Sequence, residues 1–296
     1  VQTCALPISY SQSVQWTKDG LGYLIIEQGN IIKVDPKTDT RTTLIKKEQL
    51  IPAGKKDPII PSSYFMSNDN QKILLFANTA RVWRYNTRGD YWIYDIPKNK
   101  LSQVGKLRPA QSLMFAKFSP DNKWVAYVSE HNIYVEDLNT GKIKKLTTDG
   151  TRKLINGTFD WVYEEEFGCR DGFRWSPDGQ QIAYWQVDAN KIRDFYMLNS
   201  TDSVYNKIIP VEYPKVGEPP SPVRIGLVGV SGGPTKWMKI EGDPQQHYIT
   251  KMEWSDANEL IIQQLDRKQQ ESKLMYCNAA DGTSRTFWAE KDRKST

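Results

Sequence analysis

The sequence has few residues of the kinds that build metal centres and disulfide frameworks. Its 296 residues include two histidines and three cysteines, Cys4, Cys169 and Cys277, which show no C-x-x-C spacing. Neither a zinc site nor a disulfide framework is therefore indicated. No H-E-x-x-H motif occurs either, so we predict no metal ligand and no cofactor.

Long apolar runs and charge of one sign are also missing. No run approaches the ~18 apolar residues of a membrane span, so we predict no membrane span in this chain. The formal net charge of +5 comes from 40 basic and 35 acidic residues, which are spread along the whole length without a basic stripe. Nucleic acid is therefore not an expected partner. The hydrophobic content of 39% is ordinary for a globular protein.

The two ends of the sequence carry related strings. The first nine residues, VQTCALPIS, lack the basic start and apolar centre of a signal peptide. CALPI near the start and DRKST at the end can be encoded by complementary strands of one short DNA, which resembles a sequencing-library adapter. We therefore interpret residues 1–9 and 292–296 as adapter read-through, and residues 10–291 as the natural stretch of a gene cut on both sides.

One phrase recurs five times: an aromatic residue or Met, a polar turn, and an apolar stretch typical of a strand. The copies begin at Trp16, Met66, Phe118, Trp175 and Trp254, at intervals of 50, 52, 57 and 79 residues. Such a period, filled by short strands and turns, is typical of β-propeller blades. We predict an all-β fold, a partial β-propeller of about five four-stranded blades.

The longest interval contains YPKVGEPPSPVRIGLVGVSGGPTKWMKI, residues 213–240. Its prolines and glycines predict an extra loop and hairpin, which we assign to a separate, less regular blade or half-blade. Two arrangements of the blades stay open: a closed ring of five, and a segment cut from a larger ring. The adapter interpretation favours the segment.

The same interval contains GVSGG, Gly229 to Gly233, which matches the G-x-S-x-G pattern of a nucleophile elbow. An elbow must lead from a strand into a helix. Here Pro234 and TKWMKI follow, which predict a second strand after a glycine hairpin. The two histidines, His131 and His247, have no carboxylate motif attached. We therefore predict no catalytic residue and no Ser-His-Asp triad within this chain.

Three consecutive glutamates, Glu164, Glu165 and Glu166, follow the aromatic stretch DWVY. Adjacent like charges form either a solvated face or a site for a cation. In a strand they would point to opposite faces, whereas in a helical turn neighbours lie ~100° apart and can approach one ligand. The long insertion that follows favours a loop or helical turn outside the blades. A primary ammonium, with three donors and no acceptor, would suit a pair of these carboxylates.

The stretches DWVYEEEF, RWSPDGQQIAYWQ, IIPVEYPKVGEPPSP and GDPQQHYITKMEWS resemble the N-terminal β-propeller of dipeptidyl peptidase IV and its relatives in the prolyl oligopeptidase family, bacterial members above all. The likeness runs through about residues 10–291, and DWVYEEE is its specific part. The resemblance implies an eight-bladed propeller above an α/β-hydrolase domain. Such an enzyme removes Xaa-Pro or Xaa-Ala dipeptides from free N-termini. About five of the eight blades would be present here, and the hydrolase domain would be absent.

The resemblance also implies roles for individual residues. Glu165 and Glu166 hold the ammonium of the substrate, and Glu164 has no implied substrate role. Arg84, in RVWRYNTRGDYWIYD, contacts the substrate backbone and orients the glutamates; the alternative is a surface arginine at a blade edge. The catalytic serine, aspartate and histidine, the oxyanion tyrosine and the proline pocket all belong to the hydrolase domain. We therefore expect this chain alone to be inactive.

The implied partners are a peptide with a free N-terminus, the hydrolase domain of the same protein and a second copy of the parent in a homodimer. The implied location is the periplasm or the cell surface. The rival hypothesis is a non-catalytic propeller that serves protein interaction or sensing. A hydrolase domain downstream of Glu290 would favour the peptidase, and a stop after a few further blades would favour the rival. An open propeller also predicts an aggregation-prone isolated fragment.

Overall fold

The computed structural model describes residues 14–292. Residues 1–9, interpreted as read-through, lie outside the described residues, and of residues 292–296 only the first is described. The described chain divides into two compact units, residues 14–80 with 88–111 and residues 81–87 with 112–292. Within residues 14–292 no helix is long and apolar enough to cross a bilayer.

The first unit contains two sets of four consecutive antiparallel strands, separated by a 3₁₀ helix at Lys47–Leu50. Its strands are β1 (Gln15–Trp16), β2 (Tyr23–Glu27), β3 (Asn30–Val34), β4 (Arg41–Ile45), β5 (Pro61–Met66), β6 (Lys72–Val82), β7 (Tyr85–Asp95) and β8 (Lys100–Gln103). The ends of β6 and β7, with the turn between them, belong to the second unit. Apolar side chains of both sets pack together, among them Leu24, Ile31, Ile45, Tyr64, Ile73 and Tyr94.

The second unit contains three further sets and one helix. Its elements are β9 (Leu113–Phe118), β10 (Trp124–Ser129), β11 (Asn132–Asp137), β12 (Ile143–Lys145), β13 (Leu154–Asn156), α1 (Trp161–Phe167), β14 (Phe173–Trp175), β15 (Gln181–Asp188), β16 (Asp194–Asn199), β17 (Lys207–Glu212), β18 (Val223–Gly229), β19 (Lys236–Trp237), β20 (His247–Trp254), β21 (Glu259–Asp266), β22 (Glu271–Asn278) and β23 (Ser284–Lys291). Strands β9–β12 form the third set and β20–β23 the fifth. Buried clusters join the third set to the fourth and the fourth to the fifth.

The fourth set contains strands that the prediction assigned to a separate blade. Strand β15 pairs with β18 from Gln181↔Gly229 to Val187↔Val223, and β18 pairs with β19. Residues 213–240 therefore complete the fourth set, and the predicted separate blade is wrong. The interval is long because a two-stranded ribbon, β16 and β17, is inserted between β15 and β18. The GVSGG stretch forms the turn from β18 to β19, as predicted, and no helix follows it in the described chain up to residue 292.

Each recurring phrase begins at the same structural position in its set of strands. Their first residues are the last residues of the strands that open the five sets, namely Trp16, Met66, Phe118, Trp175 and Trp254. In four sets a Ser or Thr follows, and its hydroxyl donates a hydrogen bond to the carboxylate of an aspartate two residues later. The oxygen–oxygen distance is 2.6 Å in each of the pairs Thr17–Asp19, Ser67–Asp69, Ser119–Asp121 and Ser176–Asp178. The same oxygen accepts a backbone N–H five residues on. The reversal between the first two strands is therefore encoded locally.

We expect Ser119→Ala to lower the free energy of unfolding of the second unit by about 1 kcal/mol. The hydroxyl of Ser119 is buried, donates to Asp121 and accepts from the Trp124 amide at 2.9 Å, so its removal leaves an acceptor and a donor without their partner. Urea unfolding measures the effect. The exposed Ser231→Ala serves as the control, and equal midpoints for the two variants would contradict this account.

Candidate functional site

The helix that carries the three glutamates interrupts the first strand of the fourth set. Strand β13 pairs with the end of β15, at Leu154↔Asp188, and β14 pairs with its beginning, at Trp175↔Ile182. Helix α1 lies in the chain between these two half-strands. The prediction of a helical turn outside the regular blades is confirmed.

The ends of α1 are set by two residues of the local sequence. The carboxylate of Asp160 caps the helix by accepting the Tyr163 N–H at 3.1 Å, and it also accepts the Ser221 hydroxyl at 2.7 Å. Burial raises the pKa of Asp160, and these two hydrogen bonds oppose the rise. At the other end Gly168 adopts a left-handed conformation with φ 65°, which ends the helix at little steric cost.

Tyr163 anchors α1 to the fifth set. Its side chain is fully buried, and its hydroxyl oxygen accepts the N–H of Ile249 on β20 at 3.1 Å. Its ring lies 5.4 Å from Phe159, 5.5 Å from Phe167 and 5.9 Å from Tyr248, measured between centroids. These contacts fix the rotation of the helix about its axis and hence the directions of the residues that follow Tyr163.

The three glutamates meet three different environments. Glu164 is buried, the Glu165 side chain is 15% exposed, and Glu166 is exposed. The ~100° step of a helix explains this separation. A solvated face, the alternative considered for the triplet, therefore does not describe Glu164 or Glu165.

Glu164 faces the interior beside one arginine. Its Oε2 lies 3.9 Å from Nε of Arg170, and its side chain is 4% exposed. Burial raises the pKa of Glu164 to about 7; Arg170 opposes the rise, and Glu165 and Asp160 add to it. Glu164 is thus a buried carboxyl that titrates near neutrality.

Arg84 reaches Glu165 from a distant part of the sequence. It lies in the two-residue turn between β6 and β7, next to Trp83, whose φ of 50° is left-handed. Its Nε donates to Oε2 of Glu165 at 2.6 Å. The structure therefore brings Arg84 and Glu165 together, although 81 positions separate them in the sequence.

Glu166 borders a cavity of about 670 Å³. Aromatic rings form much of the wall in two pairs, Trp161 with Tyr213 at 4.4 Å and Phe167 with Tyr248 at 4.8 Å between centroids. Within residues 14–292 the carboxylate of Glu166 has no hydrogen bond or ion pair. The site thus contains the carboxylate of Glu165, which is bound to Arg84, and the carboxylate of Glu166, which has no hydrogen-bond or ion-pair partner among the described residues.

Other groups near the site were not identified from the sequence. Arg170 lies beside Glu164 and over the ring of Tyr85, and the Ser221 hydroxyl donates to the helix cap Asp160. The only signal for Arg170 is its place in the FGCRDGF insertion after the glutamates. Within residues 14–292 no group of three His, Cys, Asp or Glu side chains is arranged to hold a metal ion.

Comparison with known proteins identifies the family. A model of the dipeptidyl peptidase IV (DPP IV) N-terminal region matches residues 67–294. The chain belongs to this family. DWVYEEE, α1 and the Arg84 turn all lie inside the matched segment of this DPP IV N-terminal region.

Individual relatives agree with this assignment. The chain is 26% identical over 269 residues to dipeptidyl aminopeptidase B of Saccharomyces cerevisiae, which covers 86% of this chain and 32% of that protein. The crystal structure of Porphyromonas gingivalis dipeptidyl peptidase 4 superposes with a TM-score of 0.88 at 26% identity, covering 96% of this chain and 40% of that one. The chain spans about a third of the length of the curated relatives it matches.

These relatives confirm the predicted fold class. The DPP IV N-terminal region described here is an all-β, partial β-propeller of five four-stranded sets, and residues 14–292 contain no α/β-hydrolase domain. The first relative is named a dipeptidyl aminopeptidase and the second a dipeptidyl peptidase.

Proposed function

We propose that this chain is the part of a serine dipeptidyl peptidase that recognises the substrate's amino terminus and gates access to the catalytic centre. The parent enzyme would remove Xaa-Pro and Xaa-Ala dipeptides from peptides with free N-termini. The observation that carries the proposal is the Arg84–Glu165 pair beside the uncommitted carboxylate of Glu166. Membership of the DPP IV N-terminal family supports it.

The chemistry of the two carboxylates suits an ammonium group. A primary ammonium has three donors, and each charge-assisted hydrogen bond contributes roughly 1.5–3 kcal/mol. Two such bonds would favour a free over a blocked amino terminus by ~10² to 10⁴. Arg84 would hold Glu165 in place and use its remaining N–H groups for the backbone of the peptide. Glu166, which has no competing partner among the described residues, would complete the ammonium site.

The rest of the reaction is assigned to the hydrolase domain of the same protein. That domain would supply the serine, aspartate and histidine, the oxyanion donor and the proline pocket, so this chain alone would hydrolyse nothing. We further propose a parent that forms a homodimer and works in the periplasm or at the cell surface. Neither nucleic acid nor a metal has a role in this proposal.

Substitution of the two glutamates tests the ammonium site. We expect the chain to bind Ala-Pro-amide more tightly than N-acetyl-Ala-Pro-amide, and Glu165→Gln with Glu166→Gln to abolish that preference, because a neutral amide has no charge to attract the ammonium. Titrations followed by NMR measure both affinities. In the full-length parent the same pair of substitutions should remove the preference for free over acetylated Xaa-Pro substrates in kcat/KM.

The control is Glu290→Gln, which removes one carboxylate charge by the same chemical change on the exposed strand β23. It should leave the preference at the wild-type margin. If the double glutamine variant still prefers the free amino terminus by that margin, the ammonium site is wrong.

A further inference from the structure

The Arg84–Glu165 ion pair is too exposed to fix the relative positions of the turn and the helix by itself. The side chain of Arg84 is 73% exposed. Exposed ion pairs contribute little, because they cost side-chain entropy and are screened by salt. Other contacts must therefore hold the 83–84 turn against α1 if Arg84 is to orient Glu165.

Arg170 provides such contacts on both sides. Its guanidinium carbon lies 3.9 Å from the ring centroid of Tyr85, the residue next to Arg84. Its Nη1 donates to the carbonyl oxygen of Gly168, the C-cap of α1, at 3.3 Å. One guanidinium thus touches both the residue that directly follows the turn with Arg84 and the end of the helix that carries Glu165.

Glu164, in its ionised form, gives this guanidinium a counter-charge. Its Oε2 is 3.9 Å from Nε of Arg170, and this nitrogen is buried without a hydrogen-bond partner. The attraction is therefore one of charge, in a place shielded from water, where it is stronger than at the surface. Because Glu164 directly precedes Glu165 on α1, the charge that holds Arg170 is part of the same helical turn.

From this geometry we propose that Arg170 and Tyr85 are positioning residues, which hold the 83–84 turn against α1 so that Arg84 meets Glu165. The role rests on the proposed function, since it matters for catalysis only if Glu165 binds the substrate's ammonium. Glu164 acts through Arg170 and does not touch the substrate. This assigns a purpose to the glutamate for which the resemblance implies none.

The contact between Arg170 and Tyr85 can be tested without any peptide. We expect Arg170→Ala and Tyr85→Ala each to speed hydrogen exchange at the amides of residues 82–87 by about 2- to 30-fold, the range that loss of a partly buried cation–π contact allows. Tyr85→Phe keeps the ring and should restore wild-type exchange. The double alanine variant should exchange no faster than either single one, since both remove the same contact.

Arg285→Ala is the matched control. Its guanidinium carbon lies 4.4 Å from the ring centroid of Tyr276 in the fifth set. The substitution therefore removes an equivalent arginine–tyrosine contact at a place far from the glutamates in the sequence. Exchange at residues 82–87 should stay at the wild-type rate in this variant. Unchanged exchange in Arg170→Ala, or equal effects of Tyr85→Phe and Tyr85→Ala, would overturn the proposed contact.

Peptide titrations of the same variants separate this inference from the proposed function. If wild type prefers Ala-Pro-amide over its acetylated form, Arg170→Ala should reduce that preference by about 2- to 30-fold, and Tyr85→Phe should restore it. A full preference in Arg170→Ala, despite faster exchange, overturns the positioning role and leaves the ammonium site intact. No preference in wild type overturns the proposed function, and exchange alone then decides whether Arg170 holds the turn.

Discussion

Replacing Tyr163 by alanine is expected to lower the free energy of unfolding of the second unit by about 3–5 kcal/mol. The ring is fully buried between Phe159, Phe167 and Tyr248, and its loss would leave a cavity that rigid strands cannot fill. The substitution also removes the acceptor of the Ile249 N–H, which would then be buried without a partner. Urea unfolding followed by tryptophan fluorescence measures the loss.

Two further variants divide this effect into its parts. Tyr163→Phe keeps the packed ring and removes only the acceptor, so we expect a loss of about 1–2 kcal/mol. Tyr196→Ala removes the same side chain from the ribbon strand β16, where it is 67% exposed, and should change the stability by less than ~0.5 kcal/mol. If Tyr163→Ala is no more costly than Tyr196→Ala, the anchoring of α1 by Tyr163 is wrong.

Tyr163 also connects stability to the proposed ammonium site. It lies two positions before Glu165 on the same helix and sets the rotation of α1 against β20. We therefore attribute the position of the glutamates to the packing of Tyr163 against β20 as much as to the geometry of the helix. The DWVYEEE motif combines these parts: a cap, a buried anchor and the carboxylates.

The elements that depend on neighbours in sequence were predictable. Each phrase start, such as Trp175, ends the first strand of a set, and the hydroxyl and aspartate that follow form the turn. These turns need only local hydrogen bonds, so a short stretch of sequence specifies them. The blade count followed from the same repetition. The prediction of a separate blade is wrong because the ribbon inserted between β15 and β18 lengthens the interval without adding a blade.

The candidate site was predictable only in part. The resemblance to a known family implies Arg84, Glu165 and Glu166 as site residues, and the contact between Arg84 and Glu165 is present. Arg170 and Tyr85 were missed because their contact joins residues from different parts of the sequence, and neither belongs to a repeated phrase. The burial of Glu164 could not be predicted either, since it depends on how Tyr163 packs against the fifth set.

Glu164 should make the stability of the second unit depend on pH. Its pKa is about 7 in the folded chain, against an ordinary 4.5. Between these values the folded chain binds more protons than the unfolded chain, so the free energy of unfolding falls as the pH rises from about 4.5 to about 7. The contribution is fully present below pH ~4.5 and is lost above pH ~7, with a total of up to ~3 kcal/mol.

Comparison of wild type with Glu164→Gln isolates this contribution, because the groups that do not interact with Glu164 titrate alike in both proteins. Glutamine stays neutral, so the variant should gain stability relative to wild type by up to ~3 kcal/mol between pH 4.5 and 8. Urea midpoints across this range measure the difference, with the exposed Glu253→Gln as the control. A difference between wild type and Glu164→Gln that is constant with pH would show that folding does not raise the pKa of Glu164. Arg170→Ala should move the upper end of the window to higher pH, since Arg170 is the positive charge that favours ionised Glu164 in the folded chain.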